Sequence, residues 1–409
     1  MAENIIRITN TAILVKVETT EGVDAAPVAA DAIPFESNGY SYNLPYASEA
    51  NNEATGSLVA GAPDMIGQPF EVSINVRLKG AAATYTSMIK PPHHALLSIA
   101  GYRGLFTAAV AAAALAAGTT TTATLGTGFS STTRAYIGMP LIMSGVAAGA
   151  TPLVIEYTSG KVATLSDLFG VALADTSSAA IPANWTYANT SPQDPTDRLT
   201  DHPAGTVYIY EDGTLIKGIA MRATLDDISA STAKAGFAVF KLKGIFGGKT
   251  DASIPDGIDV PAHSAPTLVQ GPSGISPAFS LKRAGLAISS FSIKDQAGLE
   301  SPDDPNTAYG FGPGLIGGRV PMLSCDPLAR LVAVRDTLAD LGGGAQYPGA
   351  IRFLGTAGNR IAITLPKVQQ TGGQPGTRGD ARSEQNDYRL LRTGVDAQSR
   401  DTDKVICFY

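Results

Sequence analysis

Three short motifs have residue types and spacing that could do chemistry. "GPGLIG", residues 312–317, matches the Gly-x-Gly-x-x-Gly motif, which binds a dinucleotide where a strand precedes it and a helix follows. A polar loop precedes this copy and the extended "GRVPML" follows it, so a flexible loop is favoured. "GIFGGKT", residues 244–250, resembles a phosphate-binding loop but is one residue short between its glycines. It is predicted to be a linker.

The remaining candidates for catalysis or metal binding lack the partners that such chemistry needs. Ser87 and Lys90 have the spacing found in some acyl-transfer enzymes, but no Ser-Asp-Asn or Lys-Thr-Gly motif accompanies them. No His-Glu-x-x-His motif is present, and partly exposed surface histidines are favoured. The histidines are His93, His94, His202 and His263. The sequence therefore predicts no catalytic, cofactor-binding or metal-binding residues, and no enzyme.

Composition limits the class of protein. The chain has 409 residues, enough for two or three domains, and only 16 % of them are charged. Its net charge of -6 has the wrong sign for holding nucleic-acid phosphates tightly. The two cysteines, Cys325 and Cys407, do not form a disulfide framework, so reduced cytosolic synthesis is expected. No signal peptide or bilayer-length apolar run is found, so a soluble protein without membrane contact is predicted.

Strand patterns dominate the first part of the chain. Residues 70–79 alternate apolar and polar side chains, which is typical of a strand with one buried face. Residues 206–225 are predicted to form a hairpin that turns at Glu211-Asp212-Gly213. Residues 237–244 are predicted to form another strand. "HHALLSIAGY", between two prolines and Gly101, predicts a short helix.

The second part has the same plan. "GLAISSFSI" predicts a strand, "AIRFLGTAGNRIAITLPKV" a hairpin and "DYRLLRTGV" a closing strand. "CDPLARLVAVRDTLADLGGG" predicts the best helix, with Asp326 as its cap, Pro327 in its first turn and Gly342 at its end. Its apolar stripe comprises Leu328, Leu331, Val332, Leu338 and Leu341.

The two parts indicate an internal duplication, with a chance likeness of two β-rich domains as the alternative. Each runs strand, long loop, strand, helix, hairpin, strand, and "DMIGQPFEV" matches "GLIGGRVPM" after the long loop. Residues 105–190 belong to neither copy. They are rich in Thr, Ala, Ser and Gly, and predict an inserted Ig-like β-sandwich whose core is anchored by Trp185. The predicted domains are residues 1–104 with 191–255, residues 105–190, and residues 256–409.

The fold class expected is therefore mainly β, with two tandem β-sandwich or barrel domains, each with a short α-helix, and one small inserted sandwich. "KVETTEGVDAAP", residues 16–27, resembles the lead strand of the major tail tube proteins of long-tailed, siphovirus-type bacteriophages. "GAPDMIGQPFEVSINVRLKG", "ALLSIAGY", "TVYIYEDGTLIKGIAMRATLDDI" and "NRIAITLPKVQ" are similar to later passages of that family. Residues 105–190 depart from its simplest members and look like the Ig-like decorations that some tail proteins carry.

The resemblance implies a structural subunit whose rings stack into a hollow tube for passage of the viral genome. It implies trimeric rings with pseudo-six-fold symmetry, or hexameric rings as the alternative. Tail tip, tape measure and terminator proteins are the implied partners, and double-stranded DNA would pass without being bound. The implied location is the virion tail, after synthesis in the cytoplasm of the bacterial host, and no cofactor is implied.

Two long loops, residues 37–69 and 294–318, are the candidates for packing on the next ring. Solvated loop aromatics are the alternative interpretation. The candidate stacking residues are Tyr40, Tyr42, Leu44, Tyr46, Ile66, Tyr309, Phe311 and Ile316. An acidic lumen would repel DNA phosphates. Asp226 and Asp227, which follow the predicted hairpin, are nominated for it, with ordinary turn acids as the alternative.

Two other functions stay open at this point. The first is a host-surface or carbohydrate-binding β-protein of a virion, with the Thr-rich insert as its binding module. The insert has few aromatic side chains for stacking on sugars. The second is an enzyme, such as a surface hydrolase, with a site that the motifs do not identify. Assembly into filaments separates the tube subunit from the binding protein, and a pH-dependent turnover abolished by one carboxylate substitution would support the enzyme.

Overall fold

The computed structural model describes residues 5–7, 9–54, 56–173, 176–258, 265–268 and 276–409. His263 lies outside these ranges. Within them the protein is mainly β, with large antiparallel sheets, as the sequence predicts. The α-helices of the described chain are α1 (His94–Ile99), α2 (Pro195–Asp201) and α3 (Thr337–Gly342).

The main sheet contains strands from the beginning, the middle and the end of the chain. Its first strands alternate buried and exposed side chains, as in Phe70–Arg77. The strands before the insert are β1 (Thr11–Val17), β2 (Tyr40–Tyr42), β3 (Tyr46–Glu49), β4 (Asp64–Gly67), β5 (Phe70–Arg77) and β6 (Tyr102–Thr107).

The insert forms two small sheets around a separate apolar core. One sheet has the order β10-β13-β7 and the other β11-β12-β9-β8. Buried side chains between positions 115 and 181 fill the space between them. The strands are β7 (Val110–Ala114), β8 (Ala117–Gly118), β9 (Thr122–Thr124), β10 (Ile142–Met143), β11 (Val154–Tyr157), β12 (Val162–Leu165) and β13 (Ser178–Ile181).

The chain then returns to the main sheet and forms its longest strands. The strands after the insert are β14 (Asn184–Asn189), β15 (Gly205–Glu211), β16 (Thr214–Ser231), β17 (Phe237–Asp251), β18 (Phe279–Leu281), β19 (Ala284–Gly285), β20 (Ser290–Lys294), β21 (Leu299–Glu300), β22 (Leu315–Ile316), β23 (Met322–Cys325), β24 (Gln346–Phe353), β25 (Ile361–Arg378), β26 (Ala381–Leu390) and β27 (Val405–Phe408).

Two sets of six strands in the main sheet have the same order. The first unit runs β1-β15-β16-β17-β5-β2, and the second unit runs β18-β24-β25-β26-β23-β20. Along the chain, a two-stranded ribbon lies between the second and third strands of each unit: β3 with β4 is the first ribbon, and β21 with β22 is the second. The units join because β16 also pairs with β20, from Ile228 opposite Ile293 to Ser231 opposite Ser290.

The predicted hairpins are confirmed. β15 and β16 pair antiparallel across Asp212 and Gly213, whose φ angles are 39° and 102°. Two positive φ angles in a two-residue loop suit the right-handed twist of the flanking strands, and Gly213 adopts its angle without steric cost. β24 and β25 form the corresponding hairpin of the second unit.

The first predicted helix is confirmed as α1, but the second was wrong over most of its length. Asp326 does not begin a helix; α3 starts ten residues later, where the Asp336 carboxylate accepts a hydrogen bond from the Ala339 N–H at 2.8 Å. The preceding residues instead extend the pairing of the sheet. The Glu384 N–H donates to the Pro327 carbonyl and the Ala329 N–H donates to the Arg382 carbonyl, both at 2.9 Å.

Two further sequence predictions were also wrong. The predicted linker, residues 244–250, lies inside β17, which pairs with β16 as far as Asp251. Trp185 does not anchor the core of the insert. It belongs to the main core, and its indole N–H lies 3.0 Å from the Thr86 carbonyl and 3.1 Å from the Ile89 carbonyl. β6 and β14, near the ends of residues 105–190, pair with each other in the main sheet. The domain boundaries stay predictions.

A buried ion pair fixes the insert to the second unit. The Arg352 guanidinium lies 2.6 Å from the Asp167 carboxylate, and both side chains are almost completely buried. The same guanidinium donates to the carbonyls of Thr151 and Pro277, at 3.0 and 2.7 Å. Buried charges are tolerated when every donor has a partner, so this network sets the orientation of the insert.

Candidate functional site

Tyr40 and Tyr42 lie in β2, on the edge of the first unit, and are half-buried. Their hydroxyls donate to the two oxygens of the Glu211 carboxylate, at 2.7 and 3.0 Å. Burial and the Glu211 charge raise the pKa of both hydroxyls, that of Tyr42 to about 12. Both tyrosines therefore hold the edge strand onto its own sheet and stay protonated at neutral pH.

The first ribbon exposes apolar side chains. The exposed fractions of Leu44 and Tyr46 are 63 % and 54 %, and Met65 and Ile66 of β4 are also exposed. The Tyr46 ring packs edge-on against Tyr309, with 5.5 Å between ring centroids. The structure therefore brings together one candidate stacking residue from each of the two long loops.

The second ribbon and its loop pack on the first unit of the same chain. The Gly314 N–H donates to the Ala220 carbonyl at 3.1 Å, and the Arg222 guanidinium donates to the Gly314 carbonyl at 2.6 Å. A Cβ on Gly314 would lie 2.2 Å from the Lys243 carbonyl oxygen, so only glycine fits. Phe311 and Ile316 are half-buried in this segment. The two loops therefore differ: the first exposes its ribbon to solvent, whereas the second packs on the first unit.

Asp226 and Asp227 do not follow the hairpin, because β16 continues to Ser231. They lie at a bulge within that strand, on the face away from the main core. The Asp226 carboxylate lies 3.1 Å from the Lys241 ammonium, and Asp227 accepts a hydrogen bond from the Ser292 hydroxyl at 2.5 Å. Glu71 is paired with Lys243 on the same face, at 2.7 Å. Each of these carboxylates therefore has a polar partner within the sheet.

β2 and the last part of β25 are open edges of the main sheet in the described chain, and β6 and β19 also pair with one strand only. β2 pairs with β5 on one side only. β24 pairs with β25 as far as Gln369, and beyond that point β25 pairs only with β26. At the corresponding place in the first unit, β16 is covered by β20. Sequence reasoning missed the second edge because residues 370–378, "QTGGQPGTR", lack apolar alternation and contain Gly and Pro.

The two edges are chemically able to pair with another chain. An edge strand presents unpaired backbone N–H and C=O groups, which form a ladder with any complementary strand. Thr377 supplies such groups on β25, and Tyr40 and Tyr42 supply them on β2, where the hydrogen bonds of Gly39 and Asn43 to β5 turn the alternate residues inwards. Pro375 has no N–H, as is typical of prolines on sheet edges. These open edges and the exposed first ribbon are the candidate assembly surfaces.

The histidines of the described chain have protein groups as their neighbours. His93 and His202 are buried, so the prediction of surface histidines was wrong for them. The His93 Nε2 atom lies 3.0 Å from the Arg77 carbonyl, and His94 Nδ1 lies 2.8 Å from the Tyr187 hydroxyl. Within the described ranges, no three His, Cys, Asp or Glu residues are grouped as metal ligands. No helix of the described chain has the length and apolar character to cross a bilayer.

The motif at residues 312–317 contains the short strand β22, and the next element after it is the strand β23, not a helix. The helix N-terminus that a dinucleotide phosphate requires is therefore missing at this place. Comparison with protein-family models gave no match for this chain, and comparison with curated protein sequences gave none either.

Proposed function

We propose that this chain is the subunit of a tail tube: copies join edge to edge into rings, and rings stack into a hollow tube for the viral genome. One observation carries the proposal. Two units with the same strand order are joined by β16 and β20, and the strands that correspond to this joint, β25 and β2, are open at the far ends. The pairing of β16 with β20 within the chain can therefore repeat as a pairing of β25 with β2 between chains.

Hydrogen bonds at matching places align the two units. The Leu78 N–H donates to the Gly236 carbonyl where the chain leaves β5, at 2.8 Å. The Ala329 N–H donates to the Arg382 carbonyl where it leaves β23, at 2.9 Å. β16 and β25 both have 18 residues. Residues 375–378 of β25 therefore correspond to residues 228–231 of β16.

This alignment predicts the register between two chains. Within the chain, Ser229 lies opposite Ser292. The corresponding positions are Gly376 of β25 and Ser41 of β2, which would lie opposite each other across the contact. The contact is head-to-tail, because two different edges meet, so repeating it gives a closed ring when the rotation allows. The paired backbone groups would make the wall of the ring continuous.

The finer architecture follows from the same joint. Each chain supplies two wall units, the tandem tube domains, so three chains would make a ring with pseudo-six-fold symmetry; hexameric rings are the alternative. The inserted β-sandwich, taken as Ig-like, would lie outside the wall, held by Arg352 and Asp167. The exposed Leu44, Tyr46 and Ile66 of the first ribbon would contact the next ring, with Tyr309 supporting them.

The polar face of the main sheet would line the lumen. Asp226 and Asp227 lie on it, and the lysine partners of Asp226 and Glu71 reduce its local charge. Together with the net charge of -6, this arrangement would let double-stranded DNA pass without being held. Tail tip, tape measure and terminator proteins are the proposed partners in the virion tail. No enzymatic activity or cofactor is part of the proposal.

Cysteine cross-linking tests the proposed edge contact. A double variant, Ser41→Cys with Gly376→Cys, should form cross-links between chains with a short bifunctional thiol reagent. The ladder on a denaturing gel should reach closed rings, three chains for a trimer. The matched control is Ser229→Cys with Ser292→Cys, which lie opposite each other within one chain and should cross-link without any gain in mass.

The wild-type chain should not react, because its own thiols are buried. Cys325 and Cys407 are both buried, and burial raises the pKa of Cys325 to about 12. Thiolate is the reactive form, so neither thiol is activated at neutral pH. A control pair that cross-links while the Ser41 and Gly376 pair stays monomeric, at concentrations where the protein assembles, would contradict the proposed edge contact.

A further inference from the structure

A strip of exposed apolar side chains follows β23. Residues 331–334 and α3 supply it, and its side chains are largely exposed in the described part of the chain. Large exposed apolar groups that lie together mark interaction surfaces. We call this set the apolar strip; its members and exposed fractions are Leu331 (79 %), Val332 (71 %), Val334 (73 %) and Leu338 (79 %).

The corresponding segment of the first unit is covered. The matched hydrogen bonds of Leu78 and Ala329 place residues 80–83 at the positions of residues 331–334. The Gly80 N–H donates to the Asn359 side chain at 2.7 Å, and the Ala82 N–H donates to the Gly358 carbonyl at 3.1 Å. Gly358 and Asn359 belong to the hairpin loop between β24 and β25. The hairpin loop of the second unit therefore covers this segment of the first unit.

In the proposed contact between chains, a hairpin loop of the neighbouring chain would cover the apolar strip in the same way. The loop of the first unit that corresponds to the β24–β25 loop is the β15–β16 turn, Asp212 and Gly213. When β25 of one chain pairs with β2 of the next, this turn of the next chain lies where Gly358 and Asn359 lie within the chain. The occupant of the strip is thus a second copy of this chain.

The side chains of residues 331–334 are larger than those of residues 80–83, as this contact requires. Residues 80–83, "GAAA", are small and face a loop of seven residues, 354–360. A Cβ on Gly358 would lie 2.2 Å from the Ala83 carbonyl oxygen, so there is no room for larger groups. Residues 331–334, "LVAV", are larger, and the turn that they would face has only two residues. The larger side chains would fill the space that the shorter turn leaves.

The region beside the turn is also apolar and exposed. Ile5 and Ile6 have exposed fractions of 73 % and 48 %. They lie beside the turn because the Arg7 N–H donates to the Asp212 carboxylate at 2.9 Å and the Asn10 side chain donates to it at 2.6 Å. Two exposed apolar groups, one on each unit, would therefore be buried together in the same contact.

We propose that the apolar strip is an interface between chains and packs on the β15–β16 turn and on Ile5 and Ile6 of the neighbouring copy. This inference rests on the proposed edge-to-edge assembly, and it adds a second contact to it. The strip would pack on the neighbouring chain on the side of the sheet away from the lumen. Without this contact, its apolar side chains would be exposed to water there.

Charged substitutions in the strip test the interface. Leu331→Asp and Val334→Asp change exposed side chains, so each variant should fold with the circular dichroism spectrum of the wild type. Each should associate at least tenfold more weakly in sedimentation velocity, because a carboxylate would be buried against apolar groups. The matched control is Val171→Asp on the insert, an exposed valine outside the contact, which should associate like the wild type.

A cross-link locates the contact independently of stability. The double variant Ile6→Cys with Val334→Cys should form cross-links between chains in the assembled protein. If this cross-link is absent and Leu331→Asp associates normally, the role of the strip is overturned. Cross-links of Ser41→Cys with Gly376→Cys would still support the edge contact in that case. Wild-type protein that stays monomeric at millimolar concentration, even after addition of a tail-tip complex as a nucleus, would overturn both the strip and the proposed function.

Discussion

At the scale of single residues, buried histidines make the stability depend on pH. His93 is almost completely buried, and this burial lowers its pKa to about 4. The unfolded chain binds a proton at this side chain below about pH 6.5, whereas the folded chain does not do so until about pH 4. The free energy of unfolding therefore falls as the pH falls through this window, by about 3 kcal/mol for this residue.

We expect His93→Gln to flatten this dependence. The Gln side chain keeps a donor for the Arg77 carbonyl but does not titrate. The variant should be less stable than the wild type at pH 7, and the difference should shrink by about 3 kcal/mol towards pH 4. Urea unfolding followed by circular dichroism at several pH values measures both curves. Curves that stay parallel from pH 7 to pH 4 would contradict the assignment.

At the scale of elements, local patterns predicted the strands but not the pairing that overrides them. The alternation in Phe70–Arg77 was sufficient to predict a strand, and the Asp212-Gly213 turn was sufficient to predict a hairpin, because both signals are local. The helical pattern after Asp326 was misleading, because Pro327 and Ala329 join the edge of β26 instead. Tertiary hydrogen bonds there outweigh helix propensity.

The candidate site was predictable in part for the same reason. Long loops identified both ribbons, and their aromatic content identified Tyr46 and Tyr309, which lie in contact. The open edge at residues 375–378 was not predictable, since its Gly- and Pro-rich sequence does not have the composition of a strand. Its strand conformation comes from the hairpin with β26. Only the comparison of the two folded units makes it a candidate assembly surface.

The contact between the two ribbons depends on one glycine. A Cβ on Gly67 would lie 2.1 Å from the Tyr309 carbonyl oxygen, which is backbone and cannot rotate away. We expect Gly67→Ala to lower the free energy of unfolding by about 1–3 kcal/mol, because the ribbons must separate. Gly318→Ala is the control, since no atom lies within 4 Å of its added Cβ. Equal urea midpoints for the two variants would show that the ribbons do not need this close contact.

At the scale of the whole molecule, two like units in one chain provide a contact that can continue from chain to chain. A continuous path of strands leads from β25 through β26, β23, β20, β16, β17 and β5 to β2. Both ends of this path are open edges in the described chain, and soluble proteins seldom leave such edges unprotected. The proposed assembly through these edges would account for the open strands, and with the apolar strip it would account for the exposed apolar groups beside them.

Electron microscopy of the concentrated protein in negative stain tests this account most directly. Hollow tubes or stacked rings are expected, and end-on averages of a trimeric ring should show six similar wall modules with three outer projections from the insert. Particles that remain single chains, even after addition of a tail-tip complex as a nucleus, would contradict the account.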